Sequence, residues 1–295
     1  MKVLITGGTG FLGRYVLEAL RSRGIESVLA GRHRPDGCPP AGFIETDLLV
    51  EPDFGTVYRS SGATHLMHLA WYVEHGKYWT SDLNPRWAEA TVRLVESCCR
   101  SSCQGLVLAG TCAEYDWSDG ICREDITPLR PATLYGVSKD AARRQVMALS
   151  AQHQIPCAWG RVFLPYGTGE NGQRLIPSLI EVCRGRRAPF AVDAAARRDF
   201  LHACDVAEGF VAMLADQASG EFNVCSGQAT EIGDLVRELA RIMDADPQAM
   251  LDLSAGRPGD PPLLVGDNRK LRALGWQPRL SLPQGLERIV GEAVP

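Results

Sequence analysis

The chain has 295 residues, of which 45% are hydrophobic, and a formal net charge of -4. This length and composition allow a sizeable core, in one large α/β unit or in two parts. The slightly acidic balance argues against a nucleic-acid or membrane-surface role. No apolar stretch approaches the length of a membrane span and no signal peptide is evident, so we expect a cytoplasmic protein. The ten cysteines fit no disulfide or metal-ligand spacing, so we expect reduced thiols and no metal site.

The chain begins with a strand, a glycine-rich turn and a helix. The run 2–6 is apolar and β-branched, as a buried parallel strand is. Glycines then recur at the spacing G-x-x-G-x-x-G, and helical periodicity starts at Phe11. Such a turn sets backbone N–H groups and the positive end of a helix against a phosphate. A glycine loop without a ligand is the alternative, but the flanking elements favour a dinucleotide site formed by Gly7, Thr9, Gly10, Phe11, Leu12, Gly13 and Arg14.

The end of the second predicted strand, 27–31, bears on which dinucleotide binds. An NAD site usually has an acidic residue there, for the ribose 2′-hydroxyl. This chain has Arg32 and Arg34 instead, which could fork around a 2′-phosphate with Arg14 nearby. Solvated surface arginines are the alternative. The sequence therefore favours NADP (NADPH) as the cofactor, with NAD less favoured, and it places Asp47 and Leu48, after the third strand, beside the adenine.

Strands and helices alternate through the first half of the chain. Strands are predicted at 2–6, 27–31, 43–46, 65–69, 105–110 and 156–162, and helices near 10–23, 52–61, 81–102, 132–153 and 173–185. This alternation predicts an α/β fold with a Rossmann doubly wound parallel sheet. We expect an NADP-binding domain at 1–164, joined by 204–216, and a smaller mixed C-terminal substrate lobe at 165–203 and 217–295.

A Tyr-x-x-x-Lys pair predicts the chemistry. Tyr135 and Lys139 lie one helical turn apart on one face. Free tyrosine has a pKa near ~10, which a neighbouring lysine and a positive nicotinamide ring would lower. Tyr135 could then exchange a proton with a carbinol oxygen, while Thr111, at the end of the fifth strand, bonds the same oxygen and Lys139 holds the nicotinamide ribose. The alternative, an ordinary aromatic residue at a helix start, suits a lone motif better than this set.

With these motifs the chain resembles the extended short-chain dehydrogenase/reductase family, in its nucleotide-sugar epimerase/dehydratase branch. The resemblance extends over nearly the whole chain, through His68-Leu-Ala70, Asn84, Arg161-Val-Phe-Leu-Pro-Tyr-Gly167, Arg197-Arg-Asp-Phe-Leu-His202, Asp205-Val-Ala207, Phe222-Asn-Val224 and Arg257-Pro-Gly-Asp260. It implies that Leu69 and Ala70 contact the cofactor, and that Arg198, Arg257 and Asp260 hold the diphosphate and ribose of a nucleotide sugar. A homodimer through the helices at 81–102 and 132–153 is a further expectation.

This chain departs from the branch at positions that restrict which reactions it could catalyse. Dehydratases follow the threonine with Asp-Glu, where this chain has Cys112-Ala113, and the Cys and His of fucose-synthase-like epimerisation fall at Ala113 and Arg174. The segment 111–117 resembles CDP-abequose and CDP-paratose synthases and dTDP-6-deoxy-talose-forming reductases. The resulting hypothesis is an NADPH-dependent reductase of a nucleotide-linked 4-keto-6-deoxyhexose, with the substrate contacted by Tyr72, Thr111, Cys112, Ala113, Arg174, Arg198, Arg257 and Asp260.

Two other interpretations fit the same residues. A nucleotide-sugar 4-epimerase with tightly held NAD would use the same tyrosine and threonine, and a non-enzymatic NADP-sensing protein could share the fold. The aromatic residues of 71–79 suit either a sugar pocket or a packed loop, and Glu114 receives no role.

Overall fold

Residues 1–256 and 259–292 are described by a computed structural model. Its strands are β1 (Lys2–Thr6), β2 (Glu26–Gly31), β3 (Phe43–Glu45), β4 (His65–His68), β5 (Gly105–Thr111), β6 (Ile121–Cys122), β7 (Cys157–Val162), β8 (Leu164–Tyr166), β9 (Arg197–Arg198), β10 (Phe200–His202), β11 (Gly220–Val224), β12 (Thr230–Glu231) and β13 (Leu263–Gly266). Its helices are α1 (Phe11–Arg21), α2 (Phe54–Ser61), α3 (Leu83–Cys99), α4 (Leu134–Gln152), α5 (Leu175–Cys183), α6 (Ala203–Ala215), α7 (Ile232–Met243), α8 (Gln248–Leu251), α9 (Arg269–Arg272) and α10 (Leu282–Glu292).

The main sheet of the described chain has seven strands, in the order β11-β7-β5-β4-β1-β2-β3. Every pairing within it is parallel. The chain builds outward from β1 through β2 to β3 and then returns to the other side of β1 with β4, so the order reverses between β1 and β4. Ligands of open α/β sheets bind at such a reversal, beyond the carboxyl ends of the strands. The predicted doubly wound fold is confirmed.

Helices cover both faces of this sheet. Because side chains alternate along a strand, Val3 and Ile5 join one buried cluster while Leu4 joins the other. The first cluster packs against α1 and α6, and the second against α2, α3 and α4. This two-sided burial explains why β1 is apolar at every position from Val3 to Ile5.

Part of the C-terminal segment packs on the main sheet. Strand β11, expected in the substrate lobe, pairs in parallel with β7 and forms the edge of the main sheet. Leu271 and Trp276 pack into the same core cluster as α1 and α6. Helix α6 packs against this sheet as well. Among the described residues, β7 therefore gains its second neighbour from a distant segment, and the domain boundaries stay a prediction.

A smaller lobe covers one end of the main sheet. Its separate core brings together Tyr166, Ile180, Leu235, Leu239 and Leu286, from α5, α7, α10 and the end of β8. A four-stranded mixed sheet, β12-β9-β13-β6, connects this lobe to the segment after β5. Within the described ranges, no helix is both long and apolar enough to span a lipid bilayer.

Candidate active site

The glycine turn between β1 and α1 has no room for side chains at two positions. A Cβ atom on Gly13 would lie 2.1 Å from the carbonyl oxygen of Gly7, and one on Gly7 would lie 2.6 Å from the backbone nitrogen of Ala70. Gly7 also has a φ of +74°, which favours glycine. No side chain caps α1 at Gly10, so backbone donors of its first turn face outward. These features fit a dinucleotide phosphate, which takes its hydrogen bonds from such donors.

The residues predicted to lie near the adenosine part of the cofactor differ in exposure and in hydrogen bonding. Arg32 and Arg34 are exposed just beyond β2, Leu48 is buried, and the Asp47 carboxylate accepts a hydrogen bond from the Leu49 backbone nitrogen at 3.0 Å. Arg14 donates to the Gly169 carbonyl oxygen at 3.1 Å. This contact directs Arg14 to the segment after β8, because 167–170 folds over the start of α1. The approach of Arg14 to a phosphate at the tip of β2 stays a prediction.

The residues around Gly10 and Ala70 are exposed or half-buried, as residues that contact a cofactor are expected to be. Thr9 and Gly10 are exposed, whereas Phe11, Leu12 and Ala70 are half-buried. Leu69 donates its backbone N–H to the Thr6 carbonyl at 3.0 Å, continuing the pairing of β1 with β4. The predicted cofactor residues of these two loops therefore meet at the carboxyl ends of adjacent strands.

Thr111, Tyr135 and Lys139 come together at the carboxyl end of β5. Thr111 is the last residue of β5, and Tyr135 is the second residue of α4, whose N-cap Thr133 accepts from the Gly136 backbone nitrogen at 3.1 Å. Thr111 and Tyr135 share a side-chain hydrogen bond. One turn further along α4, the Lys139 ammonium donates to the Ala109 carbonyl oxygen at 2.8 Å. The arrangement places a phenol and a hydroxyl side by side, with an amine behind them.

Burial dominates the ionisation of Tyr135 and Lys139. Burial raises the pKa of Tyr135 well above its usual value, and the Thr111 hydrogen bond only partly opposes this. The Lys139 ammonium contacts Ala109 and lies 3.9 Å from the centre of the Trp71 ring, which explains why lysine does not dominate the Tyr135 environment. Burial lowers the pKa of Lys139 to about 7, while the charge of Glu114 opposes that shift.

The aromatic segment 71–79 packs around Tyr135. The ring centroids of Tyr78, Trp79 and Trp71 lie 4.9, 5.7 and 6.3 Å from that of Tyr135, each in an edge-to-face arrangement. Asn84, fully buried, accepts from the Trp71 indole at 2.9 Å and donates to the Tyr78 carbonyl at 2.6 Å. Of the two interpretations left open by the sequence, the packed loop describes these three residues.

Tyr72 and Arg174, both predicted substrate contacts, have polar partners inside the chain. The Tyr72 hydroxyl donates to Glu74 at 2.8 Å. Arg174 donates to Glu170 at 3.2 Å and also bonds the Tyr78 hydroxyl. Burial raises the pKa of Glu170 to about 7 against the opposing effect of Arg174, and its second carboxylate oxygen has no hydrogen-bond partner among the described atoms. Arg174 thus links a buried acid to the aromatic residues around Tyr135.

A cavity of about 360 Å³ lies between the segment after β5 and the start of α4. It is lined by Ala113, Tyr115, Asp116, Trp117, Ser118, Arg130, Ala132, Thr133, Gly259, Asp260, Pro261 and Pro262. Arg198, which is buried, lies 3.5 Å from Asp260, so two predicted diphosphate and ribose contacts meet at its edge. Arg257 lies outside the described residues.

Sequence reasoning missed Trp117 and Arg130 as lining residues of this cavity. The Trp117 indole donates to the Cys112 carbonyl at 2.8 Å, which orders the loop after β5. Cys112 itself is buried, and burial raises the pKa of its thiol. The signal available for Trp117 was its place in the segment 111–117, whereas Arg130 comes from a loop with no motif.

Comparisons with known proteins agree with this architecture. The family model described as "NAD dependent epimerase/dehydratase family" matches residues 3–225. The UDP-glucose 4-epimerase of Azospirillum brasilense is 28% identical over 99% of this chain and 94% of its own length. That of Streptococcus mutans is 26% identical over 99% of this chain and 96% of its own.

Solved structures show the same fold over the full length. MoeE5 in complex with UDP-glucuronic acid and NAD superposes with a TM-score of 0.84 at 28% identity, covering 99% of this chain and 98% of that one. The UDP-glucose 4-epimerase of Thermus thermophilus in complex with NAD gives a TM-score of 0.83 at 23% identity, covering 100% of both chains. With the family model matching well over half of its residues, this chain belongs to the NAD-dependent epimerase/dehydratase family.

Proposed function

We propose that the chain is a nucleotide-sugar 4-epimerase that holds NAD and acts on a UDP-linked hexose. The observation that carries the proposal is the pairing of Tyr135 with Thr111 at the carboxyl end of β5, next to the glycine turn and the cavity that contains Ala113 and Asp260. The two UDP-glucose 4-epimerase relatives, each matched over nearly its whole length, support the same activity. This proposal prefers NAD and epimerisation to the NADPH-dependent reduction favoured by the sequence alone.

The residues of the site suit reversible chemistry at a secondary alcohol. NAD, held at the glycine turn by Gly7, Gly10 and Gly13, would supply reversible hydride chemistry at C4 of the sugar. Tyr135 would take the C4 hydroxyl proton as the hydride leaves and give it back in the return step. Thr111 would hydrogen-bond the same oxygen and fix its position. No net oxidation occurs, because both the proton and the hydride return to the sugar.

The protonation states of Tyr135 and Lys139 affect this proton transfer. Burial keeps the Tyr135 phenol protonated in the cofactor-free chain, which suits the proton-donating half of the cycle. Accepting a proton requires positive charge near the phenol, and Lys139 is the nearest lysine on the same helix face. The Lys139 amine, with a pKa of about 7, changes charge near neutral pH.

The remaining contacts support a nucleotide-sugar substrate and argue against dehydration. Arg198 and Asp260 would bind the diphosphate and the ribose, since guanidinium groups fork around phosphate oxygens and a carboxylate accepts from hydroxyls. Cys112 and Ala113 replace the Asp-Glu pair of dehydratases, and burial keeps the Cys112 thiol protonated. A homodimer through α3 and α4 remains a prediction that the mass in solution tests.

A second candidate is the NADPH-dependent reductase of a nucleotide-linked 4-keto-6-deoxyhexose. The tip of β2 favours it, because Arg32 and Arg34 are exposed there in place of an acidic residue. Replacing Arg32 with Asp should then weaken NADPH binding about tenfold, since a charge-assisted hydrogen bond contributes about 1.5–3 kcal/mol. NADH binding should not weaken, because the new carboxylate lies where NAD sites usually have an acidic residue.

One experiment separates these functions. The purified protein is incubated with UDP-glucose or UDP-galactose without added cofactor, and the nucleotide released by denaturation is identified. Interconversion together with co-purified NAD supports the epimerase. Stoichiometric NADPH oxidation with a dTDP-4-keto-6-deoxyhexose, without interconversion, would replace it with the reductase. Cofactor binding without either reaction would leave the non-enzymatic sensor.

A further inference from the structure

Glu114 is a fully buried acid directly behind the candidate catalytic residues. Its exposed fraction is 0%, and its carboxylate accepts hydrogen bonds from the Thr111 backbone nitrogen at 2.9 Å, the Trp159 indole at 3.0 Å and Arg161 Nε at 2.7 Å. Arg161 is itself 1% exposed and donates to the Tyr115 hydroxyl at 3.0 Å. Burying a pair of charges is costly unless hydrogen bonds satisfy both. Here hydrogen bonds satisfy both Glu114 and Arg161, and Glu114 lies one short turn from Thr111.

Glu114 holds the end of β5 in place. Thr111 and Glu114 form a capping box, in which Thr111 accepts from the Ala113 backbone nitrogen at 3.2 Å while Glu114 accepts from the Thr111 backbone nitrogen. A Cβ atom on Gly110 would lie 2.8 Å from the Glu114 carboxylate and 2.0 Å from the Trp159 indole nitrogen. The carboxylate therefore packs against the strand that ends in Thr111, and only glycine leaves room for it.

The charge of Glu114 also reaches Lys139. The Lys139 ammonium lies 6.0 Å from the centre of the Trp159 ring, whose indole nitrogen donates to Glu114 at 3.0 Å. Among the described residues, Lys139 interacts electrostatically with Glu114, which raises the Lys139 pKa, and with His68. Burial lowers the pKa of His68 to about 3, so His68 is neutral, with its ring nitrogens bonded to Thr6 at 2.6 Å and Thr91 at 2.9 Å. Glu114 thus supplies the negative charge that Lys139 experiences.

A second cation near Glu114, Arg143, has separate partners. Arg143 lies 3.9 Å from the Glu114 carboxylate, but it donates to Asp140 at 2.7 Å and to Glu221 at 2.6 Å. Glu221 therefore joins the same network through its outer member, Arg143. It offers a matched control for a change of charge at Glu114.

We propose that Glu114 is a positioning residue, which fixes the Thr111 end of β5 and provides a negative charge to the buried Lys139. This role rests on the proposed function only in assigning the reaction to Thr111, Tyr135 and Lys139. Its electrostatic part is independent of any substrate. Sequence patterns assign no such role to Glu114, because the charge partners lie on β7 and α4.

The test follows the titration of each lysine side chain through its 13C signal. The sequence contains Lys2, Lys77, Lys139 and Lys270, so a protein labelled with 13C-lysine gives few Cε signals, and that of Lys139 is assigned by its absence in Lys139→Arg. The signals are followed from pH 5 to pH 11 in the wild type, Glu114→Gln and Glu221→Gln. The amide introduced by Glu114→Gln keeps an oxygen that can accept from Thr111 and Trp159 but carries no charge.

We expect the Lys139 midpoint to fall by about one pH unit in Glu114→Gln, the usual effect of losing one nearby opposite charge. Glu221→Gln should leave that midpoint unchanged, and the other lysines should not move in either variant. If Glu114→Gln does not fold, the charge-balanced double variant Glu114→Gln/Arg161→Gln takes its place and should show a smaller shift in the same direction, because Lys139 interacts with Glu114 and the loss of Arg161 offsets part of the change. An unchanged Lys139 midpoint in the folded variant would overturn the proposal.

Turnover gives a second measurement. With UDP-glucose as substrate, Glu114→Gln should lower kcat about tenfold or more and change KM less than about threefold, because Thr111 acts mainly in the transition state. A kcat equal to that of the wild type, in a protein whose wild type interconverts UDP-glucose and UDP-galactose, would contradict the positioning of Thr111. If the wild type is inactive, the proposed function fails and the lysine titration alone decides the role of Glu114.

Discussion

Tyr135 has aromatic neighbours on several sides and a polar partner at its hydroxyl. Its ring is held by Trp71, Tyr78 and Trp79, and its hydroxyl bonds Thr111. Ring packing and proton exchange therefore depend on separate parts of one side chain. This separation makes the role of the hydroxyl testable without disturbing the packing.

Replacing Tyr135 with Phe removes only the hydroxyl and should lower the turnover of the proposed epimerisation by about 100-fold or more, the usual contribution of general acid–base catalysis. NAD binding and thermal stability should change little, because the ring contacts remain. Turnover is measured with UDP-galactose. Tyr58→Phe, which removes the hydroxyl of a buried tyrosine on α2, is the matched control. Near-normal turnover in Tyr135→Phe would exclude Tyr135 as the proton carrier.

Glu170 predicts a pH dependence of stability. Burial raises its pKa to about 7 in the folded chain, above the value near ~4.3 of an exposed glutamate. The folded chain therefore binds more protons than the unfolded chain between these two pH values, and this group lowers the free energy of unfolding as pH rises from about 4.5 to 7. Below that window its contribution is fully present, and above it the loss is complete.

Glu170→Gln should therefore lose less stability than the wild type between pH 5 and pH 7.5. The measurement is urea unfolding of both proteins at the two pH values. Glu89→Gln, a change at an exposed position of α3, serves as the control and should behave as the wild type does. Equal pH dependence in all three proteins would show that Glu170 titrates normally.

At the scale of elements, the β1–α1 turn and helix α4 form the site from opposite sides. The turn provides backbone donors, whose positions depend on close contact between Gly13 and the carbonyl of Gly7. Helix α4 provides Tyr135 and Lys139, and it begins at a capped position, Thr133. Backbone geometry therefore matters at the cofactor end, and side chains matter at the reacting end.

Gly13→Ala should abolish detectable NAD binding and lower the melting temperature, because its Cβ atom would lie 2.1 Å from a backbone oxygen that cannot move alone. Gly10→Ala, where the nearest atom would be 3.2 Å away, should have a smaller effect. Gly291→Ala, on the exposed side of α10 with open space around it, is the control. Calorimetric titration with NAD and thermal unfolding check this order, and equal NAD binding by the first two variants would contradict it.

At the scale of the whole molecule, the C-terminal segment stabilises the cofactor-binding sheet. Strand β11 covers one side of β7, and the Trp276 indole donates to the Asp205 carbonyl of α6 at 3.0 Å. Trp276 is 5% exposed and packs in the same cluster as Val16 and Phe210. The segment around β11 and Trp276 therefore shares one core with the main sheet, whereas α7 and α10 belong to the separate core of the smaller lobe.

Trp276→Ala should lower the free energy of unfolding by about 3–5 kcal/mol, the usual cost of removing a large buried aromatic side chain. Because the core is shared, the loss should appear in the unfolding of the sheet, monitored by far-UV circular dichroism, and not in a separate early transition. Leu253→Ala, at a position that is 46% exposed, is the control. A Trp276→Ala protein as stable as this control would show that the C-terminal segment is not part of the core.

The sequence alone determined the fold class and the central residues of the candidate site. Glycine spacing after β1, apolar β-branched strands and the Tyr135–Lys139 spacing are local patterns, and local hydrogen bonding and periodicity fix what they form. The predicted bounds of the first strands and helices agree with the structure to within a few residues.

Tertiary structure decided the features that depend on residues far apart in the chain. The pairing of β11 with β7, the contact of Arg14 with Gly169 and the packing of Trp71 over Lys139 join segments separated by tens of residues or more. The ionisation of side chains also depends on tertiary structure, because burial shifts the pKa of Tyr135, Lys139 and Glu170. Burial and long-range contacts arise only when the elements pack together, because local sequence patterns do not specify which side chains lose contact with water.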